Sequence, residues 1–352
     1  MTPRYEQHEQ LGLGSLIHCQ TCPGDDYCGD GRTSHPCSLE YEPMGTERSR
    51  VLHPLRPDLG LRLADCKGLE FNVVARPQDL TELPRYIPCV SPRNFLTGAL
   101  DFAAVAVPLD TVVSAAAQST RRGLRIRDRL GLSPQTRLII AGFANDRLLE
   151  RAWVRRHRIL GELADLRPDL VTGFGYSVYG CDPRLEHMYN MKRSLVTYQL
   201  WQAFGVPAVP CISWFSVDDL HRWCVWLHEN TSVVTVAIDL QSADTSAAWE
   251  EAVSGLEFLH NNAPSTVSYL INGVANPNRV AALAQLTPRL HLCNQYPLLM
   301  AVQGHVTRTV GDVVQRIPSD APRLEILLAE VENQVRAAAP VRDRATGVVH
   351  TA

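Results

Sequence analysis

The sequence lacks the short motifs that usually reveal an enzyme class. It contains no Gly-x-Gly-x-x-Gly, no Walker-type phosphate loop, no His-Glu-x-x-His and no Gly-x-Ser-x-Gly elbow. These motifs typify dinucleotide-binding folds, P-loop NTPases, zinc proteases and α/β-hydrolases, respectively. None of these four classes is therefore indicated, and any chemistry must be inferred from the fold and from scattered side chains.

Lysine and long apolar runs are also scarce. Only two of the 34 basic residues are lysine, Lys67 and Lys192. No run approaches the roughly 18 apolar residues of a membrane helix, and the N-terminus lacks the basic-then-apolar pattern of a secretory signal. The net charge of −3 gives no global attraction for nucleic acid or anionic lipid, so such a contact would need a local patch. We expect a cytoplasmic protein without membrane contact.

Short apolar runs, each followed by a helix-like segment, recur about every 30 residues between 137 and 297. The six runs are residues 137–143, 170–176, 207–213, 232–239, 266–272 and 289–294. Continuous apolar runs are typical of strands buried on both faces, and parallel strands need helical crossovers. The pattern therefore predicts an α/β fold, namely a TIM-like parallel β/α barrel.

Counting a further run at 102–108 gives seven strands, so the barrel is complete only if an eighth lies elsewhere, near 71–75 or after residue 303. Closing helices are expected over 306–338. The domain prediction is a Cys-rich metal-binding segment at 1–50, the barrel at 51–338 and a disordered tail at 339–352.

Four cysteines form the sharpest chemical signal, in the pattern Cys19-x2-Cys22-x5-Cys28-x8-Cys37. Close cysteine pairs chelate metals, and four thiolates suit zinc or, alternatively, an iron–sulfur cluster. His18 or His35 could replace one thiolate, so the ligand set is open. The preferred interpretation is a structural metal site that fastens the N-terminal arm; a redox role, partner binding and no metal at all are the alternatives.

The cysteine segment resembles the SPASM-type auxiliary-cluster segments of radical enzymes over about twenty residues. The last cysteine is spaced differently, and the Cys-x3-Cys-x2-Cys signature of the S-adenosylmethionine cluster is absent from the chain. The resemblance therefore does not extend to radical chemistry.

Active sites of β/α barrels are built at the C-terminal ends of the strands, so polar residues after each apolar run are site candidates. The catalytic candidates are Asp239, Asp146 and Tyr179. The ligand-binding candidates are Tyr176, Ser177, Gln202, Ser213, Trp214, Asn272, Asn294 and Tyr296. Asp239 ends an apolar strand, where burial would raise its pKa and suit it to act as base or nucleophile; loop anchoring or helix capping is the alternative for both carboxylates.

Aromatic residues in this set suggest a flat ligand such as a nucleobase or sugar, although aromatics also pack loops. A separate feature is a row of arginines at helical spacing, Arg147, Arg151, Arg155 and Arg158. Such a row can follow nucleic-acid phosphates, or it can be the solvated outer face of a barrel helix.

Four segments resemble the domain-of-unknown-function family 4417, which occurs in bacterial, phage and mobile-element genomes. They are residues 142–153, 171–179, 198–201 and 205–214. The residues that match the family's pattern are Ser177, Tyr179, Gln202, Ser213 and Trp214, whereas the family's acidic residue before the serine is missing. The resemblance spans about residues 140–300 and implies a barrel with a common pocket, without implying a particular reaction.

Three functions are compatible with these patterns. The first is an enzyme acting on a nucleobase- or nucleoside-like small molecule, for instance a transglycosylase-like reaction with Asp239 as nucleophile. The second is a non-catalytic nucleic-acid or partner-binding protein of a phage or mobile element, contacting its partner through the arginines and the cysteine segment. The third is a barrel with a structural zinc and an interaction role only.

Overall fold

The computed structural model describes residues 65–77, 82–91, 100–113, 126–178, 184–310 and 313–339. The predicted metal ligands Cys19, Cys22, Cys28 and Cys37 lie outside these residues, as do Tyr179 and residues 340–352 of the predicted tail. The predicted domain boundaries therefore stay predictions.

Strands alternate with helices along the described part of the chain. The strands are β1 Tyr86–Pro88, β2 Ala104–Pro108, β3 Arg137–Ala141, β4 Leu170–Thr172, β5 Ala208–Val209, β6 Cys211–Ile212, β7 Thr235–Asp239, β8 Ser268–Asn272, β9 Leu290–Asn294, β10 His305–Val310 and β11 Val313–Pro318. The helices are α1 Leu109–Val112, α2 Ile126–Leu130, α3 Asp146–Val154, α4 Arg156–Ala164, α5 Arg184–Ala203, α6 Val217–Glu229, α7 Ser246–Asn262, α8 Pro277–Leu286, α9 Tyr296–Gln303 and α10 Arg323–Ala338.

Helix boundaries follow local sequence signals. The Asn145 side chain accepts from the Leu148 N–H at the start of α3, and Ser216 forms a capping box with Asp219 at the start of α6. Pro277 begins α8; because the first N–H groups of a helix have no partner within it, a proline there removes no hydrogen bond. Gly304 ends α9 with φ of 67°, a left-handed conformation that favours glycine.

Two parallel sheets form the body of the protein. Their strand orders are β2-β3-β4-β5 and β1-β9-β8-β7-β6, and every neighbouring pair within them is parallel. The predicted α/β class with a parallel arrangement is confirmed. Each of the seven predicted apolar runs contains a strand of these sheets.

The two sheets are joined at both ends. At one end Cys89 bridges Ala106 in parallel, and the Val90 N–H donates to the Ala106 carbonyl at 2.8 Å. At the other end β5 and β6 are separated only by Pro210, whose carbonyl accepts from the Ala237 N–H at 2.8 Å. Proline has no N–H to donate, which divides this extended segment into two short strands.

Alternate residues of the strands belong to two separate cores. The smaller core contains Leu83, Ile87, Cys89, Ala104, Ala106, Ile139, Ala141, Phe143, Leu170, Val209, Cys211, Ala237, Leu270 and Cys293, so β1 to β9 all contribute. Their neighbours, such as Val105 and Val107, lie in the larger core that includes residues of the helices. Because side chains alternate along a strand, one side of the sheets faces the helices and the other faces a core built almost wholly from strands.

The proposed positions of the eighth strand were wrong. Residues 71–75 form no strand, and the segment after 303 is the antiparallel hairpin β10–β11, so only α10 remains of the closing helices expected there. The additional parallel strand is β1, in a segment interrupted by Pro84 and Pro88. Successive N–H groups of a strand point to opposite neighbours: the Cys89 N–H bonds to β9 and the Val90 N–H bonds to β2. An N–H at position 88 would therefore point towards β2, so the proline there removes no hydrogen bond to β9.

Candidate active site

Three polar side chains lie at one level on adjacent strands. Ile212 of β6 is in register with Ile238 of β7, and Asp239 is in register with Asn272 of β8. Cys211, Ala237 and Leu270 belong to the smaller core, and side chains alternate along a strand. Residues two positions later therefore face the same side. This places Ser213, Asp239 and Asn272 side by side where the strands end.

The Asp239 carboxylate is the central group of this layer. Its Oδ1 accepts from Asn272 Nδ2 at 2.9 Å and from the Gln241 N–H at 3.1 Å. Partial removal from water raises the pKa of Asp239; the two hydrogen bonds oppose the rise and the negative charge of Asp146 adds to it. The side chain is nevertheless exposed, which fits a group surrounded by protein except at an opening.

Asp146 and Ser177 bring two further loops to this layer. Asn145, not Asp146, caps α3, so the predicted alternative of helix capping by Asp146 is wrong. The Ser177 hydroxyl donates to Asp146 Oδ1 at 2.7 Å. The negative charge of Asp146 also contributes to the raised pKa of Asp239. The structure thus places five predicted residues in two groups: Ser213, Asp239 and Asn272 at the strand ends, and Asp146 with Ser177 in the loops after β3 and β4.

Ser213 carries a buried hydroxyl that has no hydrogen-bond partner among the described residues. Its own carbonyl accepts from Trp223 Nε1 at 2.8 Å, which fixes the backbone at the end of β6. An unmet buried polar atom is unfavourable, and in a native protein it calls for an explanation such as a ligand or an ordered water. The cysteine below it is not a nucleophile: burial, with a smaller effect of Asp239, raises the pKa of the Cys211 thiol well above its ordinary value.

The predicted aromatic ligand contacts Tyr176 and Trp214 are packed into the protein. Tyr176 is buried, and the Arg193 guanidinium lies 3.9 Å from the centre of its ring. Trp214 lies against helix α7, since a Cβ added at Gly255 would be 2.4 Å from its ring. Tyr296 is half-buried at the start of α9, with Arg316 5.9 Å from its ring centre.

Gln202 and Asn294 also form internal contacts. Gln202 lies in the last turn of α5, before β5, and its amide donates to the Arg76 carbonyl at 3.1 Å and to the Tyr198 hydroxyl at 3.0 Å. Asn294 follows Cys293 of the smaller core and therefore faces the other way. Its Nδ2 donates to the Val274 carbonyl at 2.8 Å, and its Oδ1 accepts from the Tyr86 hydroxyl at 3.0 Å. Both amides hold segments of the protein together.

The four predicted nucleic-acid contacts, Arg147, Arg151, Arg155 and Arg158, are all exposed. They lie on α3, on α4 and at the junction between the two helices. Arg158 forms an exposed ion pair with Glu162, one turn along α4, at 2.9 Å.

Two buried ion pairs near the strand ends have no counterpart in the sequence interpretation. Arg184 pairs with Asp219, which is fully buried and also accepts from the N–H groups of Phe215 and Ser216, at 3.0 Å each. Arg193, also buried, forms a two-pronged pair with Glu150 at 2.7 and 2.6 Å. Charged residues inside a helix usually indicate a solvated face. Both arginines lie on α5, whereas Asp219 lies on α6 and Glu150 on α3. The pairs therefore follow from the packing of α5 against these two helices, which the sequence does not show.

Within the described ranges, no group of three or more His, Cys, Asp or Glu residues is placed to hold a metal ion. No described helix is both long and apolar enough to cross a membrane.

Comparison with known proteins identifies no family. No family model matches the chain, and no curated protein matches it. Among solved structures, the chain is similar to a 4-hydroxy-2-oxoglutarate aldolase/2-deydro-3-deoxyphosphogluconate aldolase from TTHB1, with a TM-score of 0.38 and 13% identity, covering 79% of this chain and 98% of the aldolase. A likeness of that size supports no inference about function.

Proposed function

We propose that the chain is a β/α-barrel enzyme whose two sheets close into a single barrel. The support is the pairing of Val90 with Ala106 at one junction, the continuity through Pro210 at the other, and a strand-lined core to which β1 to β9 all contribute. In such barrels the chemistry takes place at the C-terminal ends of the strands.

One observation carries the enzymatic proposal, namely the layer of Ser213, Asp239 and Asn272 with Asp146 facing it. A raised pKa brings a carboxyl group closer to exchanging a proton under working conditions, which suits it to act as an acid or base in a reaction. The raised pKa favours Asp239 as the proton carrier over the nucleophile first considered for it, and Asp146 supplies a neighbouring negative charge.

The ligand we propose is a small nucleoside-like molecule that is neutral or positively charged. Two carboxylates and the unmet Ser213 hydroxyl can form hydrogen bonds with sugar hydroxyls and ring nitrogens. The negative charge of the ionised carboxylates would repel a phosphate group. Since Tyr176 is buried beside Arg193 and the half-buried Trp214 packs against α7, this proposal depends on hydrogen bonding and not on stacking by those two rings.

The test is a thermal-shift and turnover screen of unphosphorylated nucleosides, nucleobases and sugars against wild type and the Ser213→Ala, Asp239→Asn and Asp218→Asn variants. Asp218→Asn is the matched control, because Asp218 is an exposed carboxylate on α6. We expect Ser213→Ala to weaken ligand binding and Asp239→Asn to abolish turnover while Asp218→Asn retains both. Turnover by Asp239→Asn at the wild-type rate would disprove the assignment.

We also propose that Cys19, Cys22, Cys28 and Cys37 bind zinc, or alternatively an iron–sulfur cluster. The support is the chelating spacing of Cys19 and Cys22 and the number of thiols.

A second candidate function is nucleic-acid binding, and the exposure of Arg147, Arg151, Arg155 and Arg158 favours it. Binding through phosphate contacts weakens steeply with salt, with a slope of about −0.9 per phosphate in duplex DNA. Replacing all four with Gln should weaken binding and flatten the salt dependence, whereas Arg323→Gln with Arg336→Gln, exposed on α10, should change neither. Affinity that does not depend on salt would exclude this function.

A further inference from the structure

Two hydrogen bonds converge on one oxygen of the Asp239 carboxylate. Both the Asn272 amide and the Gln241 N–H donate to Oδ1, and among the described residues none donates to Oδ2. The two donors belong to different segments, since Asn272 ends β8 and Gln241 lies in the loop after β7. The geometry of the two bonds therefore depends on how closely this loop approaches the end of β8.

Gly273, the residue after Asn272, allows the two segments to come into close contact. It has a φ of +89°, and a Cβ added there would lie 2.6 Å from Gln241 Cα and 2.7 Å from Gln241 N. Distances this short are steric clashes, and both the positive φ and the close approach of backbone favour glycine. Any side chain at position 273 would therefore force Gln241 and the end of β8 apart.

Both segments are held in place by further hydrogen bonds. The Gly273 N–H donates to the Cys293 carbonyl of β9 at 2.9 Å, which continues the sheet at this position. Arg279 holds the far end of the loop, donating to the Ala243 carbonyl at 2.5 Å and to the Asp244 carbonyl at 3.0 Å. A side chain at position 273 would therefore be accommodated at the expense of the contacts between the two segments.

We propose that Gly273 is a positioning residue. Because it has no side chain, the Gln241 N–H and the Asn272 amide can both bond to Oδ1, and Oδ2 is left to take a proton from the substrate or return it. The role of Oδ2 rests on the proposed function. The convergence of the two donors is a property of the free protein and is testable without a substrate.

The groups around Asp239 determine the sign of the expected change. Burial raises the pKa of Asp239, the hydrogen bonds from Asn272 and the Gln241 N–H lower it, and the negative charge of Asp146 raises it. The Cys211 thiol, whose own pKa is raised mainly by burial, stays neutral and adds no charge. Because both hydrogen bonds favour the charged form, weakening either one raises the pKa, whichever segment moves.

The experiment is a pH titration of the Asp239 carboxyl carbon by NMR in the full-length protein, with Asp239→Asn used to assign the resonance. In Gly273→Ala we expect the midpoint to rise by roughly half a unit or more. The matched control is Gly205→Ala, because Gly205 also has a positive φ, +74°, but no heavy atom of the described residues lies within 4 Å of a Cβ added there. This control should share the backbone strain and leave the midpoint unchanged.

A second measurement decides the question where Gly273→Ala does not fold. In the wild-type protein the Gln241 amide proton should change its chemical shift with the midpoint of Asp239, and in Asp239→Asn it should not. The proposal is overturned by an unchanged midpoint in folded Gly273→Ala, by equal shifts in both glycine variants, or by a Gln241 amide proton that does not follow Asp239. A raised midpoint in a protein without turnover would instead refute only the proposed enzymatic function.

Discussion

Asn272 Nδ2 donates a hydrogen bond of 2.9 Å to Asp239 Oδ1, and the two residues are in register on β8 and β7. This bond favours the ionised carboxylate and so limits the rise in the pKa of Asp239 that burial causes. The pKa of Asp239 therefore depends mainly on its burial and, in the opposite direction, on Asn272 in the neighbouring strand.

Replacing Asn272 with leucine should raise the pKa of Asp239 further, because a hydrogen bond to the charged form is lost. The measurement is the titration midpoint of Asp239. Thr235→Val is the control on the same strand pair, since the Thr235 hydroxyl bonds to the Ser268 hydroxyl at 2.8 Å at the opposite end. A midpoint that falls in Asn272→Leu would contradict the role given to this bond.

Asp239→Asn should stabilise the protein at neutral pH. A carboxyl group with a raised folded-state pKa opposes folding when pH is high enough to ionise it, and an amide of the same shape avoids this penalty. As pH falls below the ordinary value of 3.8, the acid is protonated in both states and the advantage of the variant should disappear. Urea unfolding at several pH values measures the difference, and a variant less stable than wild type at pH 7 would disagree.

Asp219→Asn should destabilise the fold. Burial raises the pKa of Asp219, but the hydrogen bond and charge of Arg184 and two backbone N–H groups outweigh this and lower it below its ordinary value of 3.8. The pair thus stabilises the protein above that value, and the contribution is lost as pH falls through the folded pKa. Leaving Arg184 without its partner should cost about 3–5 kcal/mol at neutral pH.

The comparison variant for Asp219 is Glu332→Gln, because the Glu332–Arg336 pair is exposed. Exposed pairs contribute little. Denaturant titrations at neutral and acidic pH should show the deficit of Asp219→Asn shrinking as pH decreases; a deficit independent of pH would contradict the electrostatic cause.

Gly255→Ala should be destabilising although alanine normally favours a helix interior. A Cβ at Gly255 would lie 2.4 Å from the Trp214 ring, and overpacking of this kind costs about 1–3 kcal/mol. Gly161→Ala in α4 is the control, because its Cβ would meet only the Phe204 ring, at 3.3 Å. We expect Gly161→Ala to be close to neutral. Equal melting temperatures for the two variants would show that Trp214 is not packed as described.

Cys22→Ser should remove most of the bound metal from protein purified without oxygen. One zinc per chain in colourless wild-type protein would indicate a structural site, whereas brown protein with iron and sulfide would indicate a cluster. Cys224→Ser is the control, since Cys224 is a buried cysteine of α6. Wild-type metal content in Cys22→Ser would exclude Cys22 as a ligand.

The sequence could predict part of the candidate site. Asp239 and Asn272 each end an apolar strand, and the alternation of side chains carries them to the same side as Ala237 and Leu270. The same alternation, applied to Cys293, would have placed Asn294 on the opposite side. The sequence could not show that Asn145 rather than Asp146 caps α3, or that the Ser177 hydroxyl bonds to Asp146, because both depend on loop conformation.

By itself the sequence determined the class of fold, since apolar runs of strand length separated by amphipathic segments can satisfy their backbone hydrogen bonds in a parallel sheet covered by helices. The sequence did not reveal β1, because Pro84 and Pro88 break its apolar pattern. The strand still pairs with β9, since the Cys89 N–H that bonds to β9 is present. Only the tertiary structure decided that Arg193 is buried with Glu150 and that Tyr176 covers its guanidinium, because such contacts join residues distant in sequence. The candidate site depends on both, because strand periodicity supplies Asp239 and Asn272, whereas the hydrogen bond between Ser177 and Asp146 joins two loops that only the tertiary structure brings together.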